Sequence, residues 1–273
     1  MIIRRPLVRL PEPSSLDAAI HNELARVTYV LGEVDTAVLY KCIRCQRGID
    51  RSALIDLDSR WQQLWHPLSH DVVIATKRSI YQYDRTSREI EIVLDARYLL
   101  RQWLLQRDTP SFIKMLEFIA SHALCETTTV RSKSAYLKAD ASGVRVKFTR
   151  SSKLSHQLAA MNNYAAHHVD EHPLLVAIVL MLGLANCHPF LDGNGRTSRV
   201  LLNGLLYQKF IIDGYLPLYE LFWVTGASWE INMRYVAFTG DWMPAIEYIC
   251  KLFDASRDAS LSNSAKRMVS HDS

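Results

Sequence analysis

Residues 187–200 have the sequence C-H-P-F-L-D-G-N-G-R-T-S-R-V. Gly193 and Gly195 predict a tight turn that a ligand can approach closely, because glycine tolerates positive φ and has no side chain. Asn194 is a favourable N-cap residue, and apolar residues recur at helical spacing after it. The stretch therefore predicts a glycine-rich turn that opens a helix, with the helix N-terminus facing the turn.

The start of this helix has the features of an anion site. Its first N–H groups lack partners within the helix, and the helix dipole adds partial positive charge there. Arg196 and Arg199 are three residues apart on one helix face, and two guanidinium groups suit a polyphosphate. His188 can take a proton from a hydroxyl at neutral pH. Beside phosphates, Asp192 is best interpreted as a ligand of Mg²⁺.

These residues match a known family pattern. The stretch resembles the Fic-family signature H-x-F-x-[D/E]-G-N-G-R-x-x-R. All of its fixed positions are matched, by His188, Phe190, Asp192, Gly193, Asn194, Gly195, Arg196 and Arg199. The resemblance implies a protein adenylyltransferase, which transfers AMP from ATP to a Ser, Thr or Tyr hydroxyl of a target protein.

The resemblance also implies a role for each residue of the motif. His188 would be the base and Asp192 would bind Mg²⁺. The backbone of residues 193–195 would form an anion hole, and Arg196 and Arg199 would bind the β- and γ-phosphates. One alternative keeps the loop but transfers another phosphate-linked group, such as UMP or phosphocholine. The other is a nucleotide-binding regulatory protein that has lost the chemistry, although the intact His188 argues against loss.

The rest of the chain predicts a mainly α protein, with a Fic-fold helical core, a β-hairpin flap and an N-terminal helical extension. The expected domains are residues 1–109 (extension), 110–255 (Fic core) and 256–273 (a C-terminal tail that frays). Apolar spacing predicts helices over residues 14–31, 56–65, 89–103, 111–124, 154–168, 174–187 and 229–238. Ser14 or Ser15 is the expected cap of the first helix.

Residues 136–148 alternate around a turn that contains Asp140, Ser142 and Gly143, which predicts a β-hairpin. Fic proteins have such a flap, which registers the target segment by edge-strand pairing. Arg131 resembles the arginine that often leads into this flap. The hairpin is therefore expected beside the active site.

Composition limits the other classes of function. The formal net charge of +4 is small for 273 residues and does not argue for nucleic acid as a partner. Five cysteines suit a reducing compartment better than a disulfide framework. The N-terminus has no signal-peptide pattern, and the apolar run over residues 174–185 is too short to span a bilayer. We expect a cytoplasmic protein without a membrane partner.

A zinc site is the weaker of two readings for Cys42, Cys45, His66 and His70. Their types suit zinc, but the gap between the two pairs is long. We expect the two cysteines to be structural.

Self-inhibition is left open by the sequence. Many Fic proteins carry [S/T]-x-x-x-E-[G/N] on a helix, and its glutamate pairs with the second motif arginine. Here Ser87 and Glu91 have that spacing, but Ile92 follows, so Glu91 is expected to be solvated; residues 77–82 are a possible degraded copy. We expect constitutive activity or restraint by a small antitoxin-like protein. The target protein, which can be the enzyme itself, is the other expected partner, and homo-oligomers stay open.

Overall fold

The computed structural model describes residues 2–4, 9–37, 39, 85–136, 145–225 and 228–271. The chain forms two compact units, one of Met1–Ser15, Tyr83–Gln208 and Met233–Trp242, the other of Leu16–Gln82, Lys209–Asn232 and Met243–Ser273. The domain boundaries drawn from the sequence stay a prediction. The helix at 56–65 and the zinc candidates Cys42, Cys45, His66 and His70 lie outside the described residues, as do residues 77–82 and the hairpin turn.

The described fold is mainly α, as the sequence predicts. In chain order its elements are β1 (Ile2–Arg4), α1 (Ala18–Leu31), α2 (Arg85–Gln106), α3 (Thr109–Leu124), β2 (Arg145–Lys147), α4 (Leu154–His168), α5 (Pro173–Cys187), α6 (Asn194–Gln208), α7 (Leu218–Val224), α8 (Ser228–Thr239) and α9 (Met243–His271). Every predicted helix that lies in the described ranges is present. Helix α9 continues to His271, whereas the sequence predicted a frayed tail.

The first helix begins later than the sequence predicts, and a different residue caps it. The Asp17 side chain accepts a hydrogen bond from the Ile20 N–H at 2.9 Å, so Asp17 is the N-cap. Ser15 lies in a short 3₁₀ turn before the helix, where its hydroxyl donates to the Glu12 carbonyl at 2.7 Å. The prediction of Ser14 or Ser15 as the cap is therefore wrong.

Helix α5 is the centre of the first unit. Its residues from Leu174 to Cys187 are all buried, which explains why it is apolar on every side. It packs against α4 and α6, and α6 also packs against α2 and α3. Gly204 allows the close approach of α2 to α6, since a Cβ there would lie 2.5 Å from Leu100 Cδ1. The core thus fixes α5, α6 and α2 relative to one another.

Part of the predicted hairpin region can be described. Tyr136 and Lys147 form one antiparallel bridge, and the Phe148 N–H donates to the Ala135 carbonyl at 3.1 Å. These contacts join the two ends of the region, but its turn lies outside the described residues, so the hairpin stays a prediction. The sequence did not predict that β2 also pairs in parallel with β1, with Ile3 opposite Val146.

The second unit packs α1 against α9. Arg26 on α1 binds both carboxylate oxygens of Asp254 on α9, and the Asp35 N–H donates to Ser260 Oγ at 3.1 Å. None of the helices in the described ranges combines the length and the apolar composition that a membrane span requires.

Candidate functional site

His188 lies where α5 ends. It is the C-cap residue of that helix, with a left-handed backbone (φ 55°), and its N–H donates to the Leu184 carbonyl at 2.9 Å. The left-handed backbone turns the chain away from the helix axis at this residue. The half-buried imidazole stacks on the Phe148 ring, with the ring centroids 3.8 Å apart and the planes 6° from parallel. The imidazole is therefore held between the end of a buried helix and an aromatic face.

Asn194 closes the loop after His188. Its amide accepts from the Phe190 N–H at 2.9 Å and donates to the Phe190 carbonyl at 3.0 Å, and both residues are buried. The prediction of Asn194 as an N-cap is therefore wrong: it is the first residue of α6, and its side chain binds the preceding loop. Gly193 has φ 80°, so the predicted need for glycine holds there.

The sequence predicts an anion site at the N-terminus of α6, and the backbone geometry there is compatible with that prediction. The Thr197 N–H donates to the Gly193 carbonyl at 2.9 Å, and this is the first helical hydrogen bond of α6. Helix geometry leaves the N–H groups before it without partners within the helix. Gly195 lies inside the helix and leaves room for the Arg199 side chain, since a Cβ at Gly195 would lie 3.3 Å from Arg199 Nη1. The backbone and an arginine thus meet at one helix end.

Asp192 and Arg196 lie at the open side of this helix end. The Asp192 carboxylate is 81% exposed, accepts from the Gly193 N–H at 2.6 Å, and has Oδ2 4.0 Å from Arg196 Nη2. Nη1 of Arg196 donates to the Ala123 carbonyl at the end of α3. One accessible carboxylate suits Mg²⁺, which takes few protein ligands and keeps water and phosphate oxygens as the others. In the described ranges, no cluster of three or more His, Cys, Asp or Glu side chains could hold a metal.

Arg199 is paired with Glu89 of α2. Arg199 Nε donates to Glu89 Oε2 at 3.1 Å, and Nη2 donates to Oε1, so the contact is bidentate. The side chains are 9% and 1% exposed, respectively. A buried fork of this kind is a strong ion pair, because water does not screen it. An anion that needed Arg199 would have to displace the carboxylate.

The glutamate that pairs is not the one that the sequence motif singled out. Glu91 is 60% exposed and pairs with Arg88 on the same helix, which confirms that it is solvated. Two residues along a helix correspond to a rotation of about 200°, so Glu89 faces the core where Glu91 faces water. The sequence motif thus offered no clean glutamate for Arg199, whereas the structure places Glu89 on it. Glu89 does not fit the motif in the sequence, because Arg85 stands four residues before it, where the motif has Ser or Thr.

Arg131 and Phe148 are two further side chains at the site whose contacts the sequence did not predict. Arg131 is 5% exposed. Its guanidinium donates to the carbonyl oxygens of His188 (2.7 Å), Lys133 (2.8 Å), Thr149 (2.6 Å) and Cys187 (3.3 Å). Burial lowers the pKa of Arg131 and raises the pKa of the Cys187 thiol to about 12. Cys187 is therefore a protonated core residue and not a nucleophile.

Comparison with known protein families identifies the same region. A model described as Fic/DOC family matches residues 112–206, which include the loop and α6. Protein adenylyltransferase Fic of Nematostella vectensis is 29% identical over 121 residues, 44% of this chain and 27% of that protein. Protein adenylyltransferase fic-1 of Caenorhabditis elegans is 34% identical over 84 residues, 31% of this chain and 15% of that protein. The matches thus span less than a third of these relatives.

Solved structures show the same fold. A Fic family protein from Desulfovibrio desulfuricans G20 aligns with a TM-score of 0.50 at 18% identity, covering 94% of this chain and 77% of that one. A fragment of Fic-1 from C. elegans aligns with a TM-score of 0.52 at 18% identity, covering 93% and 74%. At such identities the likeness concerns the fold alone. Residues 112–206 therefore match the Fic/DOC family, and the fold of the chain resembles that of Fic-family structures.

Proposed function

We propose that this protein is an adenylyltransferase that moves AMP from ATP to a Ser, Thr or Tyr hydroxyl of a target protein. The observation that carries the proposal is the juxtaposition of His188 with the N-terminus of α6 and its two arginines. A histidine that would accept a proton and a helix end that would bind a polyphosphate thus lie at the two ends of one short loop. The relatives named as protein adenylyltransferases support the same reaction.

The phosphates of ATP would bind at the start of α6. The backbone of residues 193–195 would receive the α-phosphate, through the N–H groups of Asn194 and Gly195, because the N–H groups of a first helical turn are anion ligands whose geometry is already fixed. The Gly193 N–H donates to Asp192 instead. Arg196 and Arg199 would bind the β- and γ-phosphates. Charge develops there when pyrophosphate leaves, and fixed guanidinium groups stabilise that charge.

Asp192 is the residue that would hold Mg²⁺. Its carboxylate is accessible and lies beside Arg196, so a metal bound there would be next to the phosphates. When bound, Mg²⁺ neutralises phosphate charge and orients the leaving pyrophosphate. This chain contributes the carboxylate and the backbone N–H of Gly193 that orients it.

His188 would act as the general base. Its imidazole takes the proton of the incoming hydroxyl as that oxygen attacks the α-phosphorus, the bond to the β-phosphate oxygen breaks, and pyrophosphate leaves. The stack on Phe148 and the hydrogen bond from Arg131 to the His188 carbonyl keep the ring and its backbone in place. A positioned base of this kind contributes about 10²–10⁴-fold to the rate.

The same site contains its own restraint. As long as Glu89 occupies Arg199, the γ-phosphate meets a carboxylate where it needs a cation. The proposal therefore includes self-inhibition: ATP binds productively only when Glu89 leaves Arg199. A separate antitoxin-like inhibitor is not needed to explain a resting enzyme, although one could add to this restraint.

Two rival functions make different predictions for one experiment. Purified protein is incubated with a candidate target, or alone, and with ATP, UTP or CDP-choline in turn, and adducts are identified by mass spectrometry. AMP adducts that depend on His188 support the proposal. UMP or phosphocholine adducts would assign another donor. Nucleotide binding without any adduct would favour a regulatory protein.

A further inference from the structure

One buried guanidinium joins three separate pieces of the chain. Arg131 donates to the carbonyl of Lys133, which precedes the predicted flap, and to that of Thr149, which follows it. The same group donates to the carbonyls of Cys187 and His188 at the end of α5. The two ends of the flap region and the backbone of the histidine are therefore bonded to a single side chain.

The buried guanidinium of Arg131 stabilises the core less than an apolar side chain would. All the hydrogen-bond partners of its guanidinium within the described residues are backbone carbonyls, and none is a carboxylate. A buried charge costs free energy that an apolar side chain of similar volume avoids. The planar guanidinium group instead fixes the positions of several carbonyl acceptors, because its N–H donors have a rigid geometry. This arrangement points to placement of the backbone and not to stability.

Phe148 makes a second connection between the same parts. Its N–H donates to the Ala135 carbonyl at 3.1 Å, which closes the base of the flap region. Its ring is the face on which the His188 imidazole stacks, at 3.8 Å between centroids. A shift of the flap base would therefore move the surface that orients the imidazole.

The backbone of His188 needs to be held. A left-handed conformation costs a non-glycine residue about 1–2 kcal/mol, so without restraint this residue would favour another backbone conformation. Its carbonyl is fixed by Arg131 at 2.7 Å and its N–H by the Leu184 carbonyl at 2.9 Å. Loss of the first of these bonds frees one side of the peptide.

We propose that Arg131 is a positioning residue that couples the base of the flap region to His188, with the Phe148 ring as the second contact. The segment that would align the target would then also orient the general base. The inference rests on the proposed function for its catalytic meaning, but its structural claim can be measured without any transfer reaction.

The first test uses the ring current of Phe148. In wild-type protein the protons of the His188 ring are shifted upfield by the stacked ring, and the signals are assigned by their absence in His188→Ala. Phe148→Leu removes the shift. In Arg131→Lys, one ammonium cannot reach the same set of carbonyls, so we expect the His188 signals to move most of the way toward those of Phe148→Leu.

The second test is kinetic and uses the Glu89→Gln background, in which no carboxylate at position 89 competes with ATP for Arg199. A misplaced catalytic group costs about 10–100-fold in rate, so we expect Arg131→Lys and Phe148→Leu to lower kcat to that extent. The ATP dissociation constant should stay within about twofold, since neither residue binds the phosphates in the proposed mechanism. Arg107→Lys is the matched control, because Arg107 also donates to backbone carbonyls but is exposed.

The outcomes separate the two ideas. The coupling is wrong if the His188 signals of Arg131→Lys coincide with those of wild type, or if Arg107→Lys lowers kcat as much as Arg131→Lys does. Should Arg131→Lys not fold, the kinetic effect of Phe148→Leu decides. If no donor gives an adduct, the proposed function fails, and the ring shifts still decide whether the coupling exists.

Discussion

Replacing Glu89 by glutamine tests what the buried pair with Arg199 does. Glutamine keeps the length and shape of glutamate but removes the negative charge. In the structure the carboxylate accepts two guanidinium N–H bonds, and the two side chains are 9% and 1% exposed. Solvent therefore does not weaken the pair, and the substitution should change the affinity of Arg199 for any other anion.

The expected size follows from the two bonds. A hydrogen bond to a charged group contributes about 1.5–3 kcal/mol, so two of them hold the carboxylate by roughly 3–6 kcal/mol. One remaining bond from charged Arg199 to a neutral glutamine carbonyl contributes about 1.5–3 kcal/mol. The difference of roughly 1.5–3 kcal/mol corresponds to about 10- to 140-fold tighter ATP binding, at 1.4 kcal/mol per tenfold. Without ATP the variant should unfold more easily, because Arg199 stays buried without its anion.

The assay combines ATP titration calorimetry with transfer of label from ATP that is radioactive at the α-phosphate. Glu91→Gln is the matched control on the same helix, since Glu91 is 60% exposed in a surface pair with Arg88. Surface pairs contribute about 0–1 kcal/mol, so this variant should behave as wild type. Equal ATP affinity and equal labelling in Glu89→Gln and Glu91→Gln would refute the reasoning.

Three further predictions concern other residues of the first and second units. His188→Ala should lower transfer by about 10²–10⁴-fold with ATP affinity unchanged; a fully active variant would remove it from the mechanism. Asp192→Ala should weaken ATP binding in Mg²⁺, whereas in EDTA variant and wild type should bind alike; a difference that persists in EDTA would give Asp192 another role. Burial raises the pKa of the Cys187 and Cys250 thiols to about 12. Both stay protonated at pH 8, so iodoacetamide should modify exposed Cys125 and spare them, and rapid alkylation of either would contradict their burial.

The local features of the site could be predicted from the sequence. The apolar run before His188 fixed α5 as a buried helix, and the spacing after Gly195 fixed α6, because helical periodicity is a property of short segments. The need for glycine at position 193 followed from the same local argument. The helix caps were predicted wrongly: Asp17 caps α1 where Ser14 or Ser15 was expected, and the Asn194 side chain binds the backbone of Phe190 and does not cap α6.

The contacts between distant segments could not be predicted. Glu89 and Arg199 are 110 residues apart, so the identity of the partner of Glu89 depends on the packing of α2 on α6. Arg131 reaches Cys187 and His188 across more than 50 residues of chain. The helical spacing did indicate that Glu89 faces inward. Glu89 lies three residues before buried Ile92 and therefore on the same helix face, whereas Glu91 does not.

The most direct test of the account is the identity of the adduct that this site makes. Purified Glu89→Gln protein and its Glu89→Gln, His188→Ala double variant are each incubated with ATP, UTP or CDP-choline in a cell lysate, and modified peptides are identified by mass spectrometry. The account predicts AMP on Ser, Thr or Tyr with ATP alone, and no adduct from the double variant. Adducts from UTP or CDP-choline in place of ATP, or AMP adducts that persist without His188, would contradict it.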